Sequence, residues 1–148
     1  MKNDTTLTIE NFRTLVLDEK RLDMLPKYFG ASGFGITFDH RFFNQMSRLC
    51  PEYNGGYWDY YELQSGGFYM SWSHDEKVTM YDPNGGEHEM SADAASVAVG
   101  LILYSAFCAY FYENNQALSE RFYNLHEQLY EFAYTQHPES RLIRTIAN

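Results

Sequence analysis

The side chains of this sequence able to do catalysis or bind metal are five histidines, two cysteines and scattered carboxylates, and their spacing decides which chemistry is open. His126-Glu127 begins like the helical zinc motif, in which two histidines one turn apart hold the metal and the glutamate polarises water. The position for the second histidine is Tyr130, so that face offers one ligand. His88 stands between Glu87 and Glu89, but neighbours on a strand point to opposite faces, so the three do not converge. His74-Asp75 reads as an exposed turn. Cys50 precedes Pro51 at an expected helix end. A reactive thiol needs a helix N-terminus or nearby cations, and Arg48 is the one candidate. Cys108 falls in an apolar run and reads as an inert core thiol. The two cysteines lie far apart, and MKNDTTLTIENF has no apolar signal core, so reduced thiols in a cytoplasmic protein are expected. There is no nucleophile elbow, phosphate-binding glycine loop or dinucleotide fingerprint. No cofactor and no metal are expected. An enzyme survives only as the alternative of an unrecognised Cys50 or His88 site.

Charge narrows the partners. The formal charge is −9 and uneven. Residues 1–49 carry seven basic and six acidic side chains, residues 121–148 three of each, and residues 50–120 eleven acids against Lys77 alone. Nucleic-acid binding needs a basic face, so none is expected. An acidic mimic of DNA is the second alternative. A globule of this length is ~38 Å across, and duplex DNA of that length carries about 22 phosphates. The chain's charge falls well short, and its acids sit among glycines and aromatics in no periodic row.

Elements must position whatever these residues do. The length suits one domain with no need of a metal or disulfide. Phe12, Leu15, Val16, Leu22 and Leu25 predict a helix over Ile9–Leu25, limited by Pro26, with a glycine-rich loop following over 27–35. Phe38, Phe42, Phe43, Met46 and Leu49 predict a second helix ending at Cys50-Pro51. Strands are expected at Tyr57–Leu63, Phe68–Trp72, Lys77–Tyr81 and Glu87–Met90, separated by turns at Gln64–Gly67, Ser73–Glu76 and Asp82–Gly86. Ser91 reads as the N-cap of a helix to Tyr112, with Asp93 favourable to its dipole. Ala94–Tyr112 has no charge, but Ser96, Gly100, Ser105 and acidic flanks favour a buried core helix over a membrane span. A helix over Gln116–Gln136 carries Leu118, Phe122, Leu125, Leu129 and Phe132 as its stripe, and a short one follows over Glu139–Ala147. The expected fold class is α+β: a single domain over 1–148, with a helical part (1–50), a three- to four-stranded antiparallel meander (53–90) and C-terminal helices (91–147).

Tyr53–Met70, YNGGYWDYYELQSGGFYM, holds seven aromatics between two Gly-Gly pairs. Most of it reads as sheet core, and the rest as a protein-binding face, since Tyr and Trp dominate hot spots. This stretch also resembles a known family. Leu25-Pro26, Phe29-Gly30, Leu49-Cys50-Pro51-Glu52-Tyr53, Gly55-Gly56-Tyr57-Trp58, Tyr61-Glu62-Leu63 and Gly66-Gly67-Phe68-Tyr69-Met70 are similar to antirestriction proteins of the ArdB/KlcA type. So are Asn84-Gly85, Met90-Ser91-Ala92-Asp93-Ala94-Ala95 and His137-Pro138-Glu139, in the same order. The chain departs at Ser65 (usually Asn), Ser96 (usually Gly) and Tyr57 (often Phe). The first is expected to alter the hairpin turn, and the second the closeness of helix packing.

The resemblance implies an inhibitor of type I restriction endonucleases that leaves their methylation intact and protects plasmids or other mobile elements. It implies an α+β fold unlike the elongated DNA mimics, and no recognised catalytic group. The partner is then the type I restriction-modification complex, met directly or through a host factor. The expected contact residues are the acids of the strand region: Asp59, Glu62, Asp75, Glu76, Asp82, Glu87 and Glu89.

Overall fold

The computed structural model describes residues 8–30 and 34–148. Its architecture is α+β, with every strand pair antiparallel. The strands are β1 (Arg13–Leu15), β2 (Trp58–Leu63), β3 (Phe68–Trp72), β4 (Val78–Tyr81) and β5 (Glu87–Met90). They divide into two sheets: a three-stranded one ordered β1-β2-β3, and the β4-β5 hairpin. The meander thus breaks after β3, and an N-terminal strand takes the place on the far side of β2.

That strand corrects the helix expected over Ile9–Leu25. A 3₁₀ turn at Ile9–Asn11 leads into β1, and helices α1 (Asp18–Arg21) and α2 (Met24–Phe29) follow. The five apolar residues of the expected stripe do not share one face: Val16 is buried and Phe12 and Leu25 pack against the core, whereas Leu15 is 45% and Leu22 88% exposed. Pairing decides the conformation instead: Arg13 opposes Leu63 and Leu15 opposes Tyr61, covering an edge of β2 that would otherwise be bare. Pro26 lies inside α2, in the first turn, where its missing N–H costs nothing. Lys27–Phe29, expected in a loop, complete that helix.

Helix α3 (Phe34–Leu49) buries Phe38, Phe42 and Met46, the stripe read from the sequence. Helix α4 (Ala92–Phe111) is long and apolar enough to cross a membrane, but it is packed at the centre of the domain. Ala94, Ala95, Val97 and Ala98 are wholly buried, and α4 packs on β3, α3, α5 (Gln116–Thr135) and α6 (Ser140–Ala147). Ser91 caps it as expected, its hydroxyl accepting the Ala94 N–H at 3.0 Å. At the interface with α5, Phe122 is ringed by Phe29, Phe34, Phe107 and Tyr104, centroids 5.1–6.0 Å away.

Helix α4 also completes the sheet. Among the described residues, no strand meets the main-chain groups on the outer edge of β3. The Tyr104 hydroxyl donates to the Phe68 carbonyl at 2.6 Å, and the Ser96 hydroxyl accepts the Trp72 N–H at 2.9 Å while donating to the Ala92 carbonyl. Ser96, a departure from the family pattern, therefore supplies a bond that glycine cannot. Replacing Ser96 with Ala is expected to cost about 1–3 kcal/mol, because it strands the buried Trp72 donor. Urea denaturation checks this through a lower midpoint at unchanged slope.

Gly66 and Gly67 turn the β2-β3 hairpin with φ of 109° and 85°. A Cβ at either position would run into the Gln128 side chain of α5, so the pair serves both the turn and the seating of that helix.

Candidate functional site

The expected acidic contact residues separate into distinct environments. Glu62 is held: its carboxylate accepts from Lys27 Nζ and from the Tyr28 hydroxyl, both at 2.6 Å. Asp82 is committed to its own turn, one oxygen accepting the Asn84 and Gly86 N–H groups and the other meeting His88 Nε2 at 2.8 Å. The His88 bond, with the Gly86 N–H, holds that carboxyl below its usual range. Asp59 is half-buried on β2, opposite Ser71. The remaining four face solvent. Asp75 and Glu76 lie in the turn before β4, and Glu87 and Glu89 stand on β5 opposite Tyr81 and Thr79. Those four belong to one hairpin and its approach, so the exposed members of the expected set gather on the β4-β5 module.

The reactive candidates of the sequence are quenched. Cys50 is fully buried, and its thiol meets the Glu52 carboxylate at 3.6 Å. Burial, with the Glu52 charge, pushes the thiol up to about 11, so it stays protonated at neutral pH. His88 is tied to Asp82, and His74 stacks on Trp72 at 4.3 Å. Among the described residues, no group of three His, Cys, Asp or Glu side chains is placed to hold a metal ion.

What sequence reasoning missed is a buried polar cluster, or clasp, joining four distant segments. Asp93, in the first turn of α4, accepts from Arg13 Nη1 (2.9 Å), the Tyr69 hydroxyl (3.0 Å) and the Ser71 hydroxyl on one oxygen. Its other oxygen meets His137 Nε2 at 2.8 Å. Burial alone would raise this carboxyl, but the His137 bond, the Arg13 charge and the Ser71 bond outweigh it and hold Asp93 at about 2. Arg13 lies over the Tyr61 ring, 3.8 Å from its centroid, and reaches out to the exposed Glu10. Beside it, Glu139 accepts the Ser91 N–H at 3.0 Å, binding the start of α6 to the cap of α4.

The clasp contains Ser, His and Asp, yet its geometry is not that of a nucleophile and base. Ser71 donates to Asp93 and not to the histidine. His137 Nδ1 accepts the Glu139 N–H at 3.0 Å, which leaves the ring proton on Nε2 for Asp93. Both ring nitrogens are thereby occupied, and no base is free to activate a hydroxyl. One signal could have located the clasp: Tyr69, Ser91, Asp93, His137 and Glu139 all fall in the motifs that carry the family resemblance. The resemblance marked them, and the packing supplies the reason.

Comparison with known proteins bears on the same segments. Residues 51–148 match the family model described as antirestriction protein. The chain is 37% identical over 136 residues to the uncharacterized protein YafX of Escherichia coli K12, spanning 90% of this chain and 85% of that protein. It is 41% identical over 98 residues to the antirestriction protein KlcA of Escherichia coli, 65% and 67% of the two chains. A solved structure superposes with a TM-score of 0.81 at 32% identity, covering 92% of this chain and 94% of the other. It comes from work on the KlcA and ArdB proteins, described as showing a novel fold and antirestriction activity against Type I DNA restriction systems in vivo but not in vitro.

Proposed function

We propose, from the premise that this chain belongs to the antirestriction protein family, that it protects incoming DNA from type I restriction in the cytoplasm while leaving methylation intact. The observation that carries this reading is the shared fold, at a TM-score of 0.81 across nearly the whole of both chains. The protein works as a binding protein and not as an enzyme, since the described thiol and histidine candidates are buried, bonded or stacked. The KlcA and ArdB proteins are described as active in vivo but not in vitro. That pattern favours a route through a component present in the cell, so the partner is the restriction complex in its cellular state or a host factor acting on it. The acidic composition and its lack of any phosphate-like row favour a protein partner over occupation of a DNA groove.

The exposed acids of the β4-β5 module are the contact set this reading selects. Reversing Asp75, Glu76, Glu87 and Glu89 to Lys is expected to lower protection of unmodified phage or plasmid DNA to the level of cells lacking the protein. Folding is expected to be retained, because all four side chains are in solvent. The check is plating efficiency on a strain with an active type I system, alongside circular dichroism of the purified variant. Full protection by the folded variant rejects this contact set. No protection by the native chain rejects the family activity for this protein.

A further inference from the structure

Helices α4 and α5 leave a long channel on one face of the pair. Ile102, Ser105 and Cys108 of α4 form one bank, and Tyr123, His126 and Tyr130 of α5 the other. Two depressions lie along it, one of about 440 Å³ between residues 101–106 and 126–134 and one of about 250 Å³ between residues 108–112 and 116–123. Residues 101–112, the stretch of the α4 side that lines it, span ~18 Å, enough to seat about three turns of another helix. Tyr123 is 55% exposed and Tyr130 45%, an amphipathic aromatic wall of the kind that anchors interfaces. Ser105 and Ala106 keep the opposite bank low.

Charge identifies the occupant. Along the crest of α5, Glu120, Glu127 and Glu131 recur at helical spacing, all exposed, and Glu113 stands in the turn after α4. The wall already accepts a cation. The Arg144 guanidinium lies 4.6 Å from the centroid of Tyr134, the ring that lies tilted beside Tyr130 at 4.1 Å. Burial keeps His126 below its ordinary value, so at neutral pH it adds no positive charge. A second copy of this chain fits poorly. A two-fold pairing of the channel on itself would set one row of glutamates against another.

We propose that the α4-α5 channel docks an amphipathic helix of a protein partner, an apolar stripe flanked by Lys and Arg, in helix-in-groove fashion. This rests on the antirestriction reading for the identity of the partner, but not for the chemistry of the channel. Asn148 lines both the channel and the hollow under the β4-β5 turn, so the two surfaces are contiguous.

The test titrates the full chain with an 18-residue peptide of leucines at helical spacing flanked by lysines, followed by NMR of the tyrosine and histidine side chains. Saturable shifts at Tyr123, His126 and Tyr130 are expected, with at least tenfold weaker binding to E120K/E127K and to Ala106→Arg. The same peptide with glutamates for lysines is expected not to bind. No saturable shift overturns the proposal, and so do equal binding of the two peptides or a native chain that sediments as a dimer closed by this channel. Protection in cells separates the two readings. Native chain that binds the peptide but gives no protection fails the family activity and leaves the channel standing. Folded E120K/E127K that protects as well as native chain overturns the channel as the antirestriction contact.

Discussion

Replacing Asp93 with Asn is expected to destabilise the protein by about 3–5 kcal/mol, the range for removing one partner of a buried ion pair. Two carboxylate oxygens now accept from Arg13, Tyr69, Ser71 and His137. An amide has one acceptor oxygen, and its NH₂ must face either His137 or the three donors on the other side. Either choice sets donor against donor and leaves Arg13, its side chain 8% exposed, with only the solvent-side Glu10 as counter-charge. For a chain of this size the midpoint of thermal unfolding should fall by roughly 6–20 °C. Glu10→Gln removes only the solvent-side partner of Arg13 and is expected to stay within about 1 kcal/mol of native. If Asp93→Asn melts as close to native as Glu10→Gln does, the clasp does not hold the fold.

The same carboxyl sets the acid limb of stability. Its folded pKa of about 2 lies below the ~3.9 of an unfolded aspartate. A depressed carboxyl stabilises fully above the unfolded value and loses that contribution as pH falls through the folded one. The window is therefore pH 4 down to 2, with about 2–3 kcal/mol at stake. Denaturation midpoints measured across that window should fall in the native protein and stay flatter in Asp93→Asn.

How much of this was legible depends on how far each residue's partner lies along the chain. Ser91 and the first turn of α4 are local, so the sequence places both the cap and an acid in that turn. The stripes of α3 and α5 are local too, since 3.6-residue periodicity records a face. Strand β1 was not legible. Three residues carry no usable period, and what makes Arg13–Leu15 a strand is an edge of β2 some fifty residues away. Asp93 was half legible. An acid in the first turn of a helix suits the dipole, and that sufficient local reason concealed the histidine 44 positions on. The acidic set shows the same limit. Composition marks seven residues as one population, but only packing distinguishes the bonded Glu62 and Asp82 from the exposed Glu87 and Glu89.

Truncating Phe122 to Ala is expected to cost about 3–5 kcal/mol, the range for a fully buried aromatic. Within that range, the neighbours decide. Phe29, Phe34, Phe107 and Tyr104 surround the ring from α2, α3 and α4, so its loss opens the junction of four helices. If those flat rings tilt inward, the cavity shrinks and the cost lies near 3 kcal/mol; if packing of the outer layer holds them, it lies near 5. Benzene distinguishes the cases. A dry apolar cavity binds it and recovers about 2.7 kcal/mol at a hundredfold excess over its dissociation constant, whereas a collapsed one recovers nothing. The variant also tests where activity resides. The exposed acids and the channel walls lie outside this junction, so the protein folded with benzene should keep its peptide binding. Loss of that binding in the rescued, folded variant would mean that the channel depends on how Phe122 sets α5 against α4, and not on its surface residues alone.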